Sequence, residues 1–360
     1  MTLGCLRAAA LGLLATGFGL AAVGAATAAG RGLSVPIHRS EAKGAPVLEE
    51  IEFYGHSYAL VIGIDDYKGG WPRLSNAVKD ARLVAAELTK HGFDVTLKTN
   101  LDSDELKSAL EEFYILKGEQ PDARLFIWFA GHGHTENAEG FIVPADAPRP
   151  EAGAAFRIKA LSLRRIGEFV RLAQSKHSLA VFDACFAGTV FDGARALPPA
   201  AVTRATTLPV RQFLTSGDAG QTVSDDGSFR ELFLRALRGE ERADLNGDGF
   251  LTGSELGLYI TDRVTNLTRA KQTPRYGKLR DKDWDRGDFV FALSTTSPAL
   301  PPSVTATRPS EVDHETVFWR SVLRANTASA SNGPPLTPPS PSYWERTFRG
   351  MRNRNESWMN

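Results

Sequence analysis

The sequence predicts an α/β protein with a mostly parallel sheet of about six strands and helices on both faces. Short continuous apolar runs, which are typical of strands buried on both faces, alternate with segments whose apolar residues recur at helical spacing. The 360 residues are 42% hydrophobic and 23% charged, which is enough to bury a sizeable core. This composition excludes disordered, collagen-like and disulfide-scaffold proteins.

The elements follow one another in a regular order. The predicted strands are 58–64, 93–98, 124–130, 178–182, 210–215 and 289–293. The predicted helices are 76–91, 103–116, 161–172, 229–237 and 254–264. Strands that alternate with helices build a parallel sheet covered on both sides. Ligands of such sheets bind at the carboxyl ends of the strands.

The two ends of the chain differ from the middle. Residues 1–28 carry one basic residue and then a long uncharged run ending in small residues, which predicts a cleaved export signal, with a membrane anchor as the alternative. Residues 29–52 predict a flexible leader, 53–295 a folded domain, and the proline-rich residues 296–360 a largely disordered tail. We therefore expect a periplasmic or secreted protein with no stable membrane span after signal cleavage.

Charge and cysteine content limit the kinds of partner. The 42 Lys and Arg balance the 42 Asp and Glu, so no long-range field favours nucleic acid or anionic lipid. The chain has two cysteines, and removal of the signal leaves Cys185 alone, which excludes an internal disulfide. An unpaired thiol in an exported protein risks oxidation, which suggests that the thiol has a function. The cysteine count equally allows the alternative of a buried, inert thiol.

Two predicted strands end in sequences that suit catalysis. One runs into Gly131-His132-Gly133-His134, and the other runs into Asp183-Ala184-Cys185. If these strands are parallel neighbours, His132 and Cys185 emerge at the same edge, and a thiol beside an imidazole is the minimum for a nucleophilic cysteine. Gly131 and Gly133 permit a sharp turn, and the N–H groups of Gly133 and Cys185 are candidate donors to an oxyanion.

These residues match a known family. From about Ser57 to Leu293 the chain resembles the caspase-like superfamily of cysteine peptidases and is most similar to its metacaspase and bacterial orthocaspase branch. The matching segments are Gly63-Ile64 with Tyr67, Lys79-Asp80-Ala81, Phe129-Ala130-Gly131-His132-Gly133, Asp183-Ala184-Cys185-Phe186-Ala187-Gly188 and Thr215-Ser216-Gly217. The resemblance implies a dyad of His132 and Cys185, leaving His134 as a loop histidine. Ala130 and Phe186 depart from the metacaspase pattern, which affects subsites more than chemistry.

The residue two positions before Cys185 bears on specificity. Animal caspases, which select aspartate, have Gln there and arginines in the pocket, whereas this chain has Asp183. A carboxylate repels an acidic substrate side chain and pairs with a basic one. The resemblance adds Asp80 as a second pocket acid, so we expect cleavage after Arg or Lys. The alternative is that Asp183 only caps a strand end and Asp80 is a solvated helix residue.

The expected function is that of a cysteine endopeptidase acting on proteins or peptides with basic residues. Caspase-like chains are commonly cut between the strand that leads to the cysteine and the next strand. Here that interval is residues 190–209, which contain Arg195 and Arg204 as candidate self-processing sites. The alternative function is a catalytically silent, secreted caspase-fold module that binds or scaffolds. The sequence leaves the oligomeric state open.

An Asp-rich segment at 244–255 has the spacing of a calcium loop. Asp244, Asn246 and Asp248 place oxygens at alternate positions, Phe250 offers its carbonyl, and Glu255 is positioned to close the site. We expect no required cofactor, with Ca²⁺ as a candidate modulator. The alternative is a polar turn in which Ser or Thr caps the next helix.

Overall fold

The computed structural model describes residues 32–38, 47–184, 202, 205–218, 221 and 223–293. Contacts divide the chain into two units, 1–298 and 299–360, and all described residues belong to the first. The predicted export signal and proline-rich tail lie outside the described residues, as do Cys185, Arg195 and Arg204. Among the helices of the described part, none is long and apolar enough to cross a membrane.

The described strands and helices follow the predicted alternation. The strands are β1 (Leu33–His38), β2 (Val47–Tyr54), β3 (His56–Gly63), β4 (Asp94–Thr99), β5 (Ala123–Ala130), β6 (Gly133–Glu136), β7 (Glu139–Ile142), β8 (Leu161–Ser162), β9 (His177–Asp183), β10 (Val210–Thr215), β11 (Phe250–Thr252), β12 (Arg275–Lys278) and β13 (Val290–Ala292). The helices are α1 (Ala77–Lys90), α2 (Ser103–Glu112), α3 (Ala154–Lys159), α4 (Leu163–Leu172), α5 (Ser228–Leu237) and α6 (Gly253–Leu267). A π-helical turn, Phe113–Lys117, continues α2.

The central sheet has six strands in the order β12-β10-β9-β5-β3-β4. Five of them are parallel to their neighbours, and β12 at one edge is antiparallel to β10. This confirms the predicted fold class. The predicted strand 289–293 is not part of this sheet, because β13 pairs with β11 in a separate two-stranded sheet. The sixth strand is instead β12, whose short polar sequence carries no strong strand signal.

Both faces of the central sheet are buried. Every residue of β5 is buried, and its side chains alternate between two hydrophobic clusters. Leu125, Ile127 and Phe129 pack with residues of α2 and α4, whereas Phe126 and Trp128 pack with α1, α5 and α6. The sequence of this strand is continuously apolar because helices cover both faces of the sheet at this point.

Within the leader predicted for residues 29–52, the described residues 33–38 and 47–52 lie in strands, so this part is not a flexible leader. Strands β1 and β2 form an antiparallel pair, and Phe53 and Tyr54 at the end of β2 are completely buried. The Tyr54 hydroxyl lies 2.5 Å from Nδ1 of the buried His177 and accepts a hydrogen bond from the Val290 N–H. The sequence does not predict β2, because its glutamates interrupt the apolar pattern that is typical of a strand.

Candidate active site

The two predicted catalytic strands are neighbours in the sheet. Strands β5 and β9 pair in parallel with Ala130 opposite Asp183, and the Gly131 N–H donates to the Asp183 carbonyl at 3.3 Å. The segment with His132 and the segment that leads to Cys185 therefore leave the sheet side by side. Cys185 itself follows Ala184, the last described residue at that strand end.

The hydrogen bonds of His132 fix its backbone and its ring. The backbone N–H donates to the Tyr67 hydroxyl at 2.7 Å, and the carbonyl accepts from the Val143 N–H at 3.0 Å. In the side chain, Nε2 lies 2.7 Å from the Pro72 carbonyl oxygen. A carbonyl oxygen only accepts, so Nε2 carries the hydrogen and Nδ1 of the neutral ring is left as the proton acceptor.

The surroundings of His132 favour its neutral form. Burial lowers the pKa of His132 and outweighs the Pro72 carbonyl and the charge of Asp225, both of which raise it. The rings of Tyr67 and Trp71 lie 4.6 and 5.2 Å from the imidazole, centroid to centroid. A neutral imidazole with a defined acceptor atom is suited to remove a proton from a thiol.

The two glycines beside His132 differ in their structural roles. A Cβ on Gly131 would approach the Tyr67 hydroxyl to 2.7 Å, so glycine leaves room for the group that holds the His132 backbone. Gly133 lies opposite Ile142 in the β6–β7 pair, next to the bonded pair of His132 and Val143. Bonded and non-bonded pairs alternate in an antiparallel ladder, so the Gly133 N–H points away from β7. The role of this N–H as an oxyanion donor stays a prediction.

His134 occupies a different environment. It lies on strand β6, not in a loop as the sequence predicts, because β6 pairs with β7 in a small three-stranded sheet. Its ring packs against Phe156 at 5.3 Å and Trp71 at 6.2 Å, centroid to centroid. His132 lines the cleft described next, and His134 does not.

A cleft opens at this edge of the sheet. His132 lines it together with three acidic residues, Asp80, Asp183 and Asp225. The small residues Ala130 and Ala184 form part of its wall. The sequence singles out two of these three carboxylates, and the structure brings both of them to one cleft with His132.

Asp183 has a strongly perturbed carboxyl group. Its Oδ1 atom is buried and has no hydrogen-bond partner within the described part of the chain. Burial raises the pKa of Asp183 to about 7, and the charges of Asp80 and Asp225 add to this effect. The Ser216 side chain opposes this shift, and a cation beside the carboxyl group would favour its charged form in the same way.

Asp80 already has a cationic partner. It is 3% exposed, and its Oδ1 lies 3.0 Å from Nε of Arg230 on α5. Burial raises the pKa of Asp80, and the Arg230 charge opposes this shift. The sequence predicts Asp80 either as a pocket acid or as a solvated helix residue, and neither prediction includes this ion pair. Asp80 lines the cleft but is buried, and Arg230 neutralises part of its charge.

Asp225 is the site residue that sequence reasoning misses. It follows β10, the strand next to β9, so it too lies beyond the carboxyl end of a parallel strand. Its Oδ2 accepts from the Ser75 N–H at 2.6 Å, and its Oδ1 accepts from the Asn76 N–H at 3.2 Å. The rule that ligands bind at strand ends points to this segment, but the sequence does not show which of its polar residues faces the cleft.

The Asp-rich loop lies apart from the cleft lining, and its carboxylates bind its own backbone. Asp244 accepts from the N–H groups of Gly247 and Gly249 at 2.7 and 2.9 Å, and Asp248 accepts from Phe250 at 2.9 Å and from Val202 at 3.4 Å. Asn246 accepts from the Asp248 N–H at 2.9 Å.

Glu255 closes this loop onto the next helix. Thr252 and Glu255 form a capping box at the start of α6, and Oε1 of Glu255 accepts from the Leu245 N–H at 3.1 Å. The oxygen-rich donor set suits Ca²⁺ in chemistry. Among the described residues, however, no group of three or more Asp, Glu, His and Cys side chains converges as a metal site would require.

The match to a family model agrees with this architecture. Residues 56–300 match a family model described as the caspase domain. A solved structure of a protein from Geobacter sulfurreducens is similar, with 15% sequence identity over 64% of this chain and 99% of that chain and a TM-score of 0.44. A search of curated proteins gave no significant match.

Proposed function

Because the chain belongs to the caspase domain family, whose members include cysteine peptidases, we propose that it is an exported endopeptidase that cleaves after Arg or Lys. Cys185 is the nucleophile and His132 is the acid and base. The observation that carries the proposal is the shared cleft, in which His132 stands with Asp80 and Asp183. Its substrates are proteins or peptides with basic residues.

The proposed reaction begins with proton transfer from the Cys185 thiol to Nδ1 of His132. The thiolate attacks the scissile carbonyl carbon, and the N–H groups of Gly133 and Cys185 stabilise the oxyanion. When the tetrahedral intermediate collapses, the C–N bond breaks and His132 gives its proton to the leaving amine. His132 then takes a proton from water, which attacks the thioester, and the acid product leaves with the thiol restored.

The proposed specificity rests on the charge of the cleft. Three carboxylates face it, and among the residues that line it in the described part of the chain there is no Lys or Arg. Arg230 reaches Asp80 from α5 and offsets part of this charge, while Asp183 Oδ1 is left for an incoming cation. A guanidinium or ammonium group at this place forms charge-assisted hydrogen bonds, whereas an acidic side chain is repelled.

Self-processing is part of the proposal. The candidate sites Arg195 and Arg204 lie outside the described residues. The test is intact-mass analysis of the purified enzyme during activation. Fragments that end at Arg195 or Arg204, absent from Cys185→Ala, support the idea, and an active enzyme of undivided mass excludes processing as a requirement.

Calcium modulation through residues 244–255 is also proposed, on the chemistry of their oxygen donors. We expect Ca²⁺ to raise the melting temperature of the wild type and not that of Asp248→Ala, since ligand binding to the folded state alone is stabilising. Equal shifts in both proteins would place the ion elsewhere.

The proposed activity is best tested with a peptide electrophile. A peptide chloromethyl ketone with Arg next to the reactive group is expected to alkylate the wild type once, on Cys185, and not to alkylate Cys185→Ala. Mass spectrometry detects the added inhibitor group. The matched reagent with Asp in that position is expected to react far more slowly. A wild type that reacts with neither reagent and cleaves no peptide is instead the silent module that the sequence leaves as the alternative.

A further inference from the structure

The Asp225 carboxylate joins two segments that are far apart in sequence. It accepts hydrogen bonds from the N–H groups of Ser75 and Asn76, and its own carbonyl accepts from Nδ2 of Asn76 at 2.6 Å. The segment after β10 is thereby fixed to the segment before α1. Three hydrogen bonds to one residue make this a specific connection rather than a passing surface contact.

These bonds lie immediately before the first turn of α1, where the Asp65 carboxylate accepts from the Val78 N–H at 2.9 Å. Asn76 is the N-cap residue of α1, yet its side chain makes no capping bond to its own helix, because its amide turns towards the Asp225 carbonyl. The first N–H groups of a helix have no partner within the helix, and an anion there is favourable. Asp65 provides one such anion, and Asp225 adds a second carboxylate beside this helix N-terminus from another part of the chain.

The segment that Asp225 fixes is the one that holds the His132 ring. Pro72, three residues before Ser75, accepts the hydrogen of Nε2 of His132 at 2.7 Å. The segment is fixed at its other end by Trp71, whose Nε1 donates to the Pro148 carbonyl at 3.1 Å. The Pro72 carbonyl therefore stands between two anchors, of which Asp225 is one.

We propose that Asp225 is a positioning residue for the catalytic histidine: by fixing residues 72–76 it holds the Pro72 carbonyl where it sets the orientation and tautomer of the His132 ring. This inference rests on the proposed function, because it assigns His132 as the acid and base. It adds a residue outside the predicted dyad and outside the two predicted pocket acids.

Besides fixing the Pro72 segment, Asp225 supports the proposed role of His132 through its charge. It raises the pKa of His132, and so favours the imidazolium that forms when the ring takes the thiol proton. The other charged or titratable groups near this ring are Tyr67, Arg149, Asp80 and Asp183. None of them is changed in the variants below.

The experiment compares Asp225→Asn with Asp226→Asn. Asp226 is the adjacent carboxylate, and it accepts from the Ser228 N–H at 2.8 Å at the start of α5, away from the His132 ring. Each variant removes one charge beside the N-terminus of a helix, α1 for Asp225 and α5 for Asp226. With an Arg peptide, we expect kcat of Asp225→Asn to fall about ten- to a hundredfold and that of Asp226→Asn to stay within about twofold.

A third variant, Asn76→Ala, removes one bond of the connection and no charge. We expect a smaller loss of kcat, and in the double variant with Asp225→Asn a combined loss smaller than the product of the two, since both act on one connection. Independent, multiplicative losses would contradict a shared role.

The readout that a purely structural role would leave unchanged is the titration of His132. We expect the limb of the pH–rate profile that reports His132 to move to lower pH in Asp225→Asn, and NMR of the labelled histidine ring to show the same direction of change. A lower melting temperature with unchanged kcat and unchanged titration overturns the proposal. If the wild type cleaves nothing, the proposed function fails, and the NMR titration still decides whether Asp225 acts on this ring.

Discussion

The cleft beside His132 and the loop 244–255 are both rich in carboxylates, but one carboxyl group of the cleft, that of Asp183, differs from those of the loop in its hydrogen bonds. In the loop, Asp244, Asp248 and Glu255 all accept hydrogen bonds from nearby backbone N–H groups. In the cleft, Asp183 Oδ1 is buried with no hydrogen-bond partner within the described residues. Satisfied carboxylates stabilise a local turn, whereas an unsatisfied one favours a ligand.

Removal of either dyad residue tests the catalytic role of the cleft most severely. We expect Cys185→Ala and His132→Ala each to lower kcat/KM by at least about a thousandfold, because a thiol needs its base. Neither side chain is expected to fill much core volume, so melting temperatures should change little. The measurement is steady-state cleavage of an Arg peptide alongside a thermal melt.

The control for the histidine is His134→Ala, whose ring packs on Phe156 outside the cleft lining. It should keep most of the activity. Full activity in Cys185→Ala would end the proposed mechanism, and a loss in His134→Ala with His132→Ala still active would assign the base to the other histidine.

The ionisation of Asp183 tests whether its charge sets the preference for an Arg peptide. With its pKa near 7, the group becomes charged between pH 6 and pH 8. We expect the ratio of kcat/KM for an Arg peptide over a matched Leu peptide to rise up to about tenfold over this range, since the ratio cancels the ionisation of the dyad. In Asp183→Asn the ratio should be flat, and a ratio that still rises there would assign the effect to another group.

The same shift has a consequence for stability. The pKa of Asp183 is raised above its unfolded value of 3.8, so the folded state binds the proton more tightly and loses stability as the pH rises through about 7. Asp183→Asn should therefore gain melting temperature relative to the wild type at pH 8 and less so at pH 6. The opposite order would show that the carboxylate is already paired in the folded protein.

The smallest expected effect concerns the loop. Thr252→Val removes the hydroxyl that caps α6 and should lower the free energy of unfolding by about 1 kcal/mol, with no change in kcat/KM. The matched control is Thr265→Val in the same helix, whose buried hydroxyl has no hydrogen-bond partner within the described part of the chain. Chemical denaturation compares the two, and an equal loss in both variants would contradict a capping role.

The sequence predicts the parts of this protein that depend on local pattern. The apolar runs of β3, β5 and β9 identify the sheet, and the strand-end rule brings the segments of His132 and Asp183 to one edge. The edge strand β12 is not predicted, because its four residues alternate weakly in polarity and it pairs with only one neighbour.

The unpredicted parts of the site are pairings between distant residues. Arg230 meets Asp80, and Asp225 meets Ser75, across about 150 residues of chain. A helix residue such as Arg230 carries no local sign that it points to a carboxylate on another helix. Periodicity shows which face of an element is apolar, but it does not show which polar residues of two elements meet.

The central claim, that the cleft receives a basic side chain, is tested most directly by one substrate series. Matched peptides with Arg, Lys, Asp or Leu before the scissile bond are compared by kcat/KM on the wild type and on Asp183→Asn. We expect the wild type to prefer Arg and Lys over Asp and Leu by about a hundredfold or more, and Asp183→Asn to lose most of that preference. A wild type that prefers Asp, or an Asp183→Asn variant that keeps the full preference for Arg, would contradict the claim.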